Sequence, residues 1–493
     1  MDLQQIELVK GSSSTLYGGG AIAGMLNLIS KKPKLNKPET SLTLNTSSAN
    51  ESNINIFTSA RNKNIGYTLF AGNTTQRAQD VTNDGFSDFP NLQSVFVHPR
   101  LFIYGKDQST LTLGYTLTSE DRKGGDINLL QGHPSDAHQF FIENKMFRNT
   151  LDATWEKTVA SGGQLTVKSN YSLFDRDIIT NVFGMKGQQK SWYSEFAYSN
   201  KTNQHHYVFG VNFNGEAFEK KGLDSSMLPN TALSMMYKIN NRVTMRLGSG
   251  LGYKTPAIFN SEIDERDYKY YIGLEPNATS EKSKGVNYDI NYKQKINGWD
   301  LTFNQTFFYN KIEHPLVLLS SNILFTSNRL WSNSYHPLMI YYNAPQNLES
   351  MGFESYVQAI KAPLELYAGY VYTDAKRNYN SFNPNLPLIA KHKFATVIAY
   401  EFDEDFRVGL ESSYTGSQYL DNGTKTPSYL LGAAMMRYNI GKFSFVLNCE
   451  NLFNVKQTNY GSIVSGYTSN PIFSELWAPI DGRVVNVSMY LKW

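Results

Sequence analysis

Few groups of residues in this sequence are spaced for chemistry. In 9–33, VKGSSSTLYGGGAIAGMLNLISKKP, Gly18, Gly20 and Ala23 come close to a dinucleotide-binding fingerprint. That fingerprint must open a helix, whose N-terminus holds the phosphate, and the MLNLIS that follows alternates like a strand, so a phosphate cradle fits poorly. His133 and His138, with Asp136, stand in GHPSDAH at a spacing a loop can fold around a metal, although a solvated loop uses the same letters. His205 and His206 are adjacent on a strand pattern and point to opposite faces, so they share no metal without a bulge. Asp80, Asp84 and Gly85 echo a calcium loop. Its twelfth position requires a bidentate Glu and falls here on Asn91, so DVTNDGFSDFP reads instead as Asn-Asp-Gly turn chemistry. Cys449 shares alternate positions with Phe443, Phe445 and Leu447 and reads as a small apolar filler. Glu401 and Asp403 fall in a turn, and no Ser/His/Asp or Cys/His constellation stands out. Neither an enzyme nor a metal or cofactor site is expected.

Two loops are better suited to binding. DERDYKYYIGLEP places Tyr268, Tyr270 and Tyr271 beside Arg266 and Lys269, a mixture that suits a planar or anionic chelate through stacking and charge. A tyrosine-rich rim at a membrane interface would have the same composition. Trp331 and Tyr335 in RLWSNSYHP carry the same pair of readings.

The elements that position these residues follow from composition and period. The chain has 493 residues, 41% hydrophobic but 14% aromatic, with Tyr 32 and Phe 29. Its mean hydropathy is −0.41, and it has no apolar run near the roughly 18 residues of a membrane-spanning helix. A barrel stays open, because its lipid face uses only alternate residues. The net charge of +3 comes from scattered Lys and Arg, which argues against nucleic acid as a partner. One cysteine excludes internal disulfides. The first residues lack the basic and apolar regions of a signal peptide.

From about residue 39 the pattern is period two. Leu111, Leu113, Tyr115 and Leu117 share one face of LTLGYTLT, and Thr112, Gly114, Thr116 and Thr118 the other. The series SLTLNTS, NINIFTS, QLTVKSNYSLF, VTMRLGSGLGY, DLTFNQTFFYN, LELYAGYVYT and KFSFVLN predicts an all-β chain. Short polar turns (RNKN, GKDQS, ASGGQ, INN, KINGW, EFDED) interleave with long segments, 78–92, 122–139, 255–279 and 314–336. Such sorting marks a transmembrane antiparallel β-barrel with short periplasmic turns and long extracellular loops, and about 20 strands follow from it. In RVVNVSMYLKW, Val485, Val487, Met489, Leu491 and Trp493 make an apolar face, while Lys492 lies on the other. A charge facing lipid near mid-bilayer would cost about 2–4 kcal/mol.

Against that frame, IELVKGSSSTLYGGGAIAGMLNLISKKP resembles the end of the plug domain of TonB-dependent outer-membrane receptors: an Ile-Glu-x-x-Lys-Gly strand, a Leu-Tyr-Gly apex and a return strand ending in Lys-x-Pro. GYKTP (252–256) with EPNATSEKSKGVNYD, ENLFNVKQTNY and the terminal Trp resemble later motifs of the same family. The resemblance spans the chain and implies residues 1–36 as the C-terminal part of a plug and 37–493 as the outer-membrane β-barrel. The family's signal peptide, TonB box and most of its plug would lie upstream of Met1, so this chain alone is not expected to be energised. The family has 22 strands. One hairpin is expected to be absent between HHYVFGVNFNGEAFEKK and TALSMMYKIN.

By this resemblance the protein is an active-uptake receptor of the siderophore type in the outer membrane of a Gram-negative bacterium. Its expected partners are an iron–siderophore, outer-membrane lipid and a TonB-type energy-coupling protein. Tyr17 and Ser14, at the apex 12–20, are then ligand contacts together with Arg266, Tyr268, Tyr270, Tyr271 and Trp331. The competing account of the apex is that Tyr17 packs on the wall and the glycines only allow the turn. A passive porin-like or adhesion barrel is the rival class. Uptake of cobalamin, haem or an oligosaccharide is the rival cargo. Haem receptors of the family tend to carry a His within the interval that here is 257–275, which has none.

Overall fold

The computed structural model describes residues 2–10, 24–159, 162–201, 205–220, 233–238, 242–254, 271–325 and 334–493. A hairpin comes first, β1 (Leu3–Lys10) with β2 (Gly24–Ser30), its strands paired only with each other. The barrel begins with β3 (Glu39–Ser47), β4 (Glu51–Arg61), β5 (Ile65–Gln76), β6 (Asn91–Tyr104) and β7 (Ser109–Gly125). It continues through β8 (Phe141–Thr158), β9 (Gln164–Thr180), β10 (Gly184–Lys201), β11 (His205–Lys220), β12 (Leu233–Lys238) and β13 (Val243–Lys254). A short strand, β14 (Tyr271–Leu274), precedes β15 (Glu281–Ile296) and β16 (Trp299–Glu313). Then a hairpin, β17 (Leu316–Phe325) and β18 (Ser334–Asn343), rises out of the wall before β19 (Leu348–Lys361), β20 (Leu364–Arg377), β21 (His392–Glu401), β22 (Phe406–Thr415), β23 (Tyr429–Ile440) and β24 (Phe443–Glu450). A last small hairpin, β25 (Val464–Tyr467) and β26 (Asn470–Phe473), leads to β27 (Val484–Lys492).

Among the described residues the wall is twenty strands, each antiparallel to its neighbours, and the order returns on itself where β27 pairs with β3. The expected strand number is met. The thinnest seam joins β11 to β12 over two residue pairs, His205 with Tyr237 and His206 with Met236. It adjoins 221–232, where a hairpin of the larger pattern is expected to be missing; that interval lies outside the described residues. Above it, the parallel pairing of β14 with β18 and the β17–β18 hairpin form a separate three-stranded sheet. Leu316, Met339 and Tyr341 of this sheet pack on Ile178 and Met185 at the β9–β10 end, so apolar burial ties together wall segments on either side of the thin seam.

Alternation decides which face meets lipid. Ile54 and Ile56, Leu113, Leu151, Phe209 and Phe213, Phe303 and Phe307, and Leu447 and Val487 are exposed on the outside. Phe57, Ser59, Thr68, Phe102, Thr112, Asn304 and Thr306 are buried on the inside. A water-soluble fold has the reverse arrangement, and the outward band has the apolar character a bilayer requires. In β27, Val485 and Val487 are outward and Lys492 pairs inward with Glu39 at 3.5 Å. Cys449 is half-buried on the outward face shared with Phe443, Phe445 and Leu447.

One rim carries only short connections, 62–64, 105–108, 297–298, 362–363, 402–405 and 441–442 among them; the other carries 77–90, 126–140, 314–347, 378–391, 416–428 and 451–483. The long-loop rim also has short links at 48–50 and 181–183. Besides β14 within 255–279, two more of the expected long segments are partly strand. The segment 122–139 is not loop throughout, since β7 runs to Gly125, and its charged end is held by Lys145, which lies 3.9 Å from Asp121 and 3.1 Å from Glu143. Within 314–336 the structure instead has β17 and the start of β18. In both places local charge or chain length reads as loop, and cross-strand pairing overrides it.

Candidate functional site

The site this architecture can build is the lumen and its long-loop mouth. On the lumen side, the segment after β2 fastens the N-terminal hairpin to the wall. Lys31 bonds Glu39 at 2.7 Å with its ammonium 4.9 Å from the Phe57 ring centre, and Lys32 bonds Glu156 at 2.7 Å. Asp2 faces His98 of β6 at 3.7 Å. Burial by itself would raise the Asp2 carboxyl, but hydrogen bonding and charge from His98, with Ser30, outweigh it and leave the group below its ordinary value. The Lys-Lys-Pro exit expected from the sequence is therefore an anchor as well as a direction.

At the mouth, the connection 451–483 works as a strap. Its base is the Asn-Leu-Phe-Asn stretch. Asn451, at φ 50°, donates to the carbonyls of Val455 (2.8 Å) and Gly482 (3.0 Å) and accepts from the Val455 amide (2.9 Å). Asn454 accepts from the Arg483 amide at 3.0 Å, so the two asparagines pin both ends of the strap to one point. Asparagine tolerates the left-handed backbone this turn needs. Buried Gln457 then bonds the Trp477 amide (2.8 Å) and the Glu475 carbonyl (2.9 Å) across the strap.

From there the strap reaches both sides of the mouth. Lys456 donates to the Val81 carbonyl at 3.0 Å, Thr468 to Ala137 at 2.8 Å, and Phe473 packs with Phe86 and Phe140 at 5.5 and 5.7 Å. On the opposite side Glu475 accepts from the Asp421 amide at 3.0 Å. Asp421 is held in turn by Arg377 at the end of β20, whose guanidinium also takes the Asn383 carbonyl at 2.8 Å. Four long connections and the strap thus form one hydrogen-bonded collar.

The loops singled out for metal chemistry turn out to be built for shape. Asp80 accepts from the Gly85 amide at 2.9 Å, and Asp84 from Phe86 at 2.9 Å. Asp88 accepts from Val81 and Thr82 at 2.6 and 2.8 Å, and burial nevertheless holds its carboxyl above the ordinary range. The carboxylates of 80–90 are thus engaged by turn amides. His138 turns to Asp126, with Nδ1 at 2.7 Å from Oδ2, and not to His133 or Asp136. Asp126 is buried and caps the single helical turn Ile127–Leu130 by accepting from the Asn128 amide at 2.9 Å. Among the described residues no group of three His, Cys, Asp or Glu side chains is gathered as a metal site.

Tyr17, Ser14, Arg266, Tyr268, Tyr270 and Trp331 lie outside the described residues, and Tyr271 is placed only as the first backbone position of β14. For His205, His206 and Tyr335 likewise only the strand backbone is described. The organising residues Arg377, Asp126, Lys456 and Gln457 escape a sequence reading. Each is one polar letter among many, and the partners that matter stand from 12 positions away (His138 for Asp126) to 375 (Val81 for Lys456).

Comparison with known proteins agrees with this architecture. Residues 35–452 match the family model described as TonB dependent receptor-like, beta-barrel. The iron-regulated outer membrane virulence protein of Vibrio cholerae is 20% identical over 521 residues, covering 94% of this chain and 78% of that protein. The siderophore receptor PirA of Acinetobacter baumannii superposes with a TM-score of 0.68 at 14% identity, over 100% of this chain and 85% of its own. A mutant of the ferric enterobactin receptor PfeA of Pseudomonas aeruginosa, in complex with enterobactin, gives 0.71 at 12% identity, over 100% and 86%. With its wall of outward apolar residues, its sorted loops and a family match across most of its length, the chain belongs to the TonB-dependent receptor β-barrels of the Gram-negative outer membrane.

Proposed function

We propose that this chain captures a ferric siderophore at its extracellular mouth for uptake driven by a TonB-type energy-coupling protein. The observation that carries the reading is the family match over residues 35–452. Two of the similar proteins, PirA and PfeA, are named as siderophore and ferric enterobactin receptors, which supports iron as the cargo here. The collar adds physical support, since a scarce ligand is retained by a mouth whose loops are held in place before it arrives, so that binding costs less ordering entropy.

In this reading residues 1–36 are the tail of a plug and 37–493 the barrel. Tyr17 and Ser14 meet the ligand from below, while Arg266, Tyr268, Tyr270, Tyr271 and Trp331 meet it from the loops, the aromatic rings stacking on a planar chelate and the guanidinium neutralising its charge. The test is growth of the host with and without the gene under iron limitation, on a panel of ferric siderophores, repeated in a strain lacking the energy-coupling protein. Loss of growth on one siderophore in both strains is expected. Equal growth on every iron source would overturn the proposal.

A further inference from the structure

The inner wall between β19 and β22 contains a recess. One transverse rung of the sheet sets Tyr356, Gly369, Ala395 and Ser413 side by side. Their sequence neighbours Phe394 and Tyr414 are exposed on the outer face, so alternation turns this rung to the lumen. Three small residues in a row leave room for a cavity of about 250 Å³. Its aromatic wall is the pair Tyr356 and Tyr367, with ring centres 5.7 Å apart and planes at 33°. The Tyr367 hydroxyl lies over Gly369, where a Cβ would come within 2.7 Å of it.

The next rung toward the extracellular mouth supplies charge at the lip. It runs Glu354, Val371, Lys393, Thr415, and all four line the cavity. Lys393 is exposed and makes no ion pair among the described residues, in a wall where many Lys and Arg side chains are paired. Glu354 stands two strand spacings from it, about 9.5 Å. That is a backbone spacing, and tilt of the long Lys393 side chain lets a single ring with one acidic substituent and one hydroxyl on opposite sides lie between the two groups.

We propose that this recess is a binding site for a small aromatic acid of the hydroxybenzoate class. The carboxylate sits on the Lys393 ammonium as a charge-assisted pair. The ring enters the space above Ala395 and Ser413, beside the Tyr367 hydroxyl that covers Gly369, and stacks against Tyr356 and Tyr367, an offset arrangement worth about 0.5–1.5 kcal/mol beyond burial. The ring hydroxyl donates to Glu354, whose two oxygens accept several bonds at once. The recess, about 250 Å³ and open toward the lumen, has room for a single ring and is smaller than the roughly 300–1,000 Å³ of sites for drug-sized ligands. The site follows from the wall alone, and a barrel importing a different cargo would keep it.

The test uses the chain of 493 residues purified in detergent micelles, with 4-hydroxybenzoate as the probe, followed by calorimetry and by saturation-transfer NMR. Saturable binding is expected for the unaltered protein, at least tenfold weaker binding for Lys393→Gln, and none for Ala395→Phe, which fills the recess. Cyclohexanecarboxylate, with the charge but neither the aromatic face nor the hydroxyl, is expected to bind at least fivefold more weakly. Heat-modifiable gel mobility checks folding of each variant, and Ser413→Leu fills the same space if Ala395→Phe does not fold. No saturable binding by the unaltered protein, undiminished binding by Lys393→Gln or the filled variant, or equal binding of the non-aromatic acid would overturn the proposal.

Discussion

Arg377, only 6% exposed at the top of β20, donates through Nη2 to the carbonyl of Asp421 at 2.8 Å and so joins two loops that are 44 positions apart in sequence at this point. Its Nη1 meets the same residue's carboxylate, which is itself largely exposed, so solvent screens much of that charge pair. Most of the hold comes from two carbonyls: that of Asn383 loses this donor if the guanidinium goes, and that of Asp421 is left with the 3.3 Å bond from the Asn383 side-chain amide.

Arg377→Ala is therefore expected to loosen the collar on this side while the wall stays intact. Losing part-buried hydrogen bonds from a charged donor costs about 1–3 kcal/mol. Amide exchange should rise roughly tenfold or more in 378–391 and 416–428, with little change in β19 and β20. Exchange mass spectrometry on the folded protein checks this, and equal protection in variant and parent would refute it.

Asp126→Ala removes a cap and the His138 partner in one step. The expected loss is about 1–3 kcal/mol confined to 126–140, with the Thr468 contact to Ala137 weakened as a consequence. Asp126→Asn should recover part of it, since the amide oxygen still accepts from the Asn128 amide. The same exchange measurement separates the two variants.

Face assignment makes a sharper claim. Leu151 is 60% exposed on the lipid side of β8, so Leu151→Arg should cost about 2–4 kcal/mol near mid-bilayer. Thr116, on the lumen side of neighbouring β7, should accept Lys with less than about 1 kcal/mol lost, because the charge there is hydrated. Denaturant titration of folding into lipid vesicles compares the two. Equal costs would mean that the faces are misassigned.

The Asp2 carboxyl gives a pH dependence with a definite sign. Its folded value is depressed, so its contribution is fully present above the unfolded value of about 3.9 and is lost as pH falls through the folded value. Acidification below about pH 4 should thus speed amide exchange in β1 and β2, and Asp2→Asn should remove that part of the dependence. If the variant and the parent respond alike between pH 5 and 3, the His98 contact does not hold the hairpin.

Much of the architecture was legible because a barrel writes itself into local sequence. Period two, the sorting of short turns from long segments, and the terminal strand with Val485, Val487 and Trp493 on one face are properties of neighbouring residues. They fixed the all-β class, the strand number and the lipid face. They failed where the cause is not local. The end of β7 and the β17–β18 hairpin read as loop until Lys145 and the Ile178–Met185 patch are brought alongside.

For the site the balance is reversed. Composition could mark tyrosine-rich loops as binding candidates, and the sequence alone determined the family through the Lys-Lys-Pro exit and the Asn-Leu-Phe-Asn stretch. Only the tertiary structure decided that His138 serves Asp126, that the acidic loop 80–90 is closed by its own amides, and that the connection 451–483 straps the mouth. It alone placed Lys393 at the lip of a tyrosine-walled recess. The physical reason is register: cross-strand partners such as Gly369 and Ala395 meet because of how far one strand slides past the next, and that offset is set by the closed sheet as a whole, not by any segment of the chain.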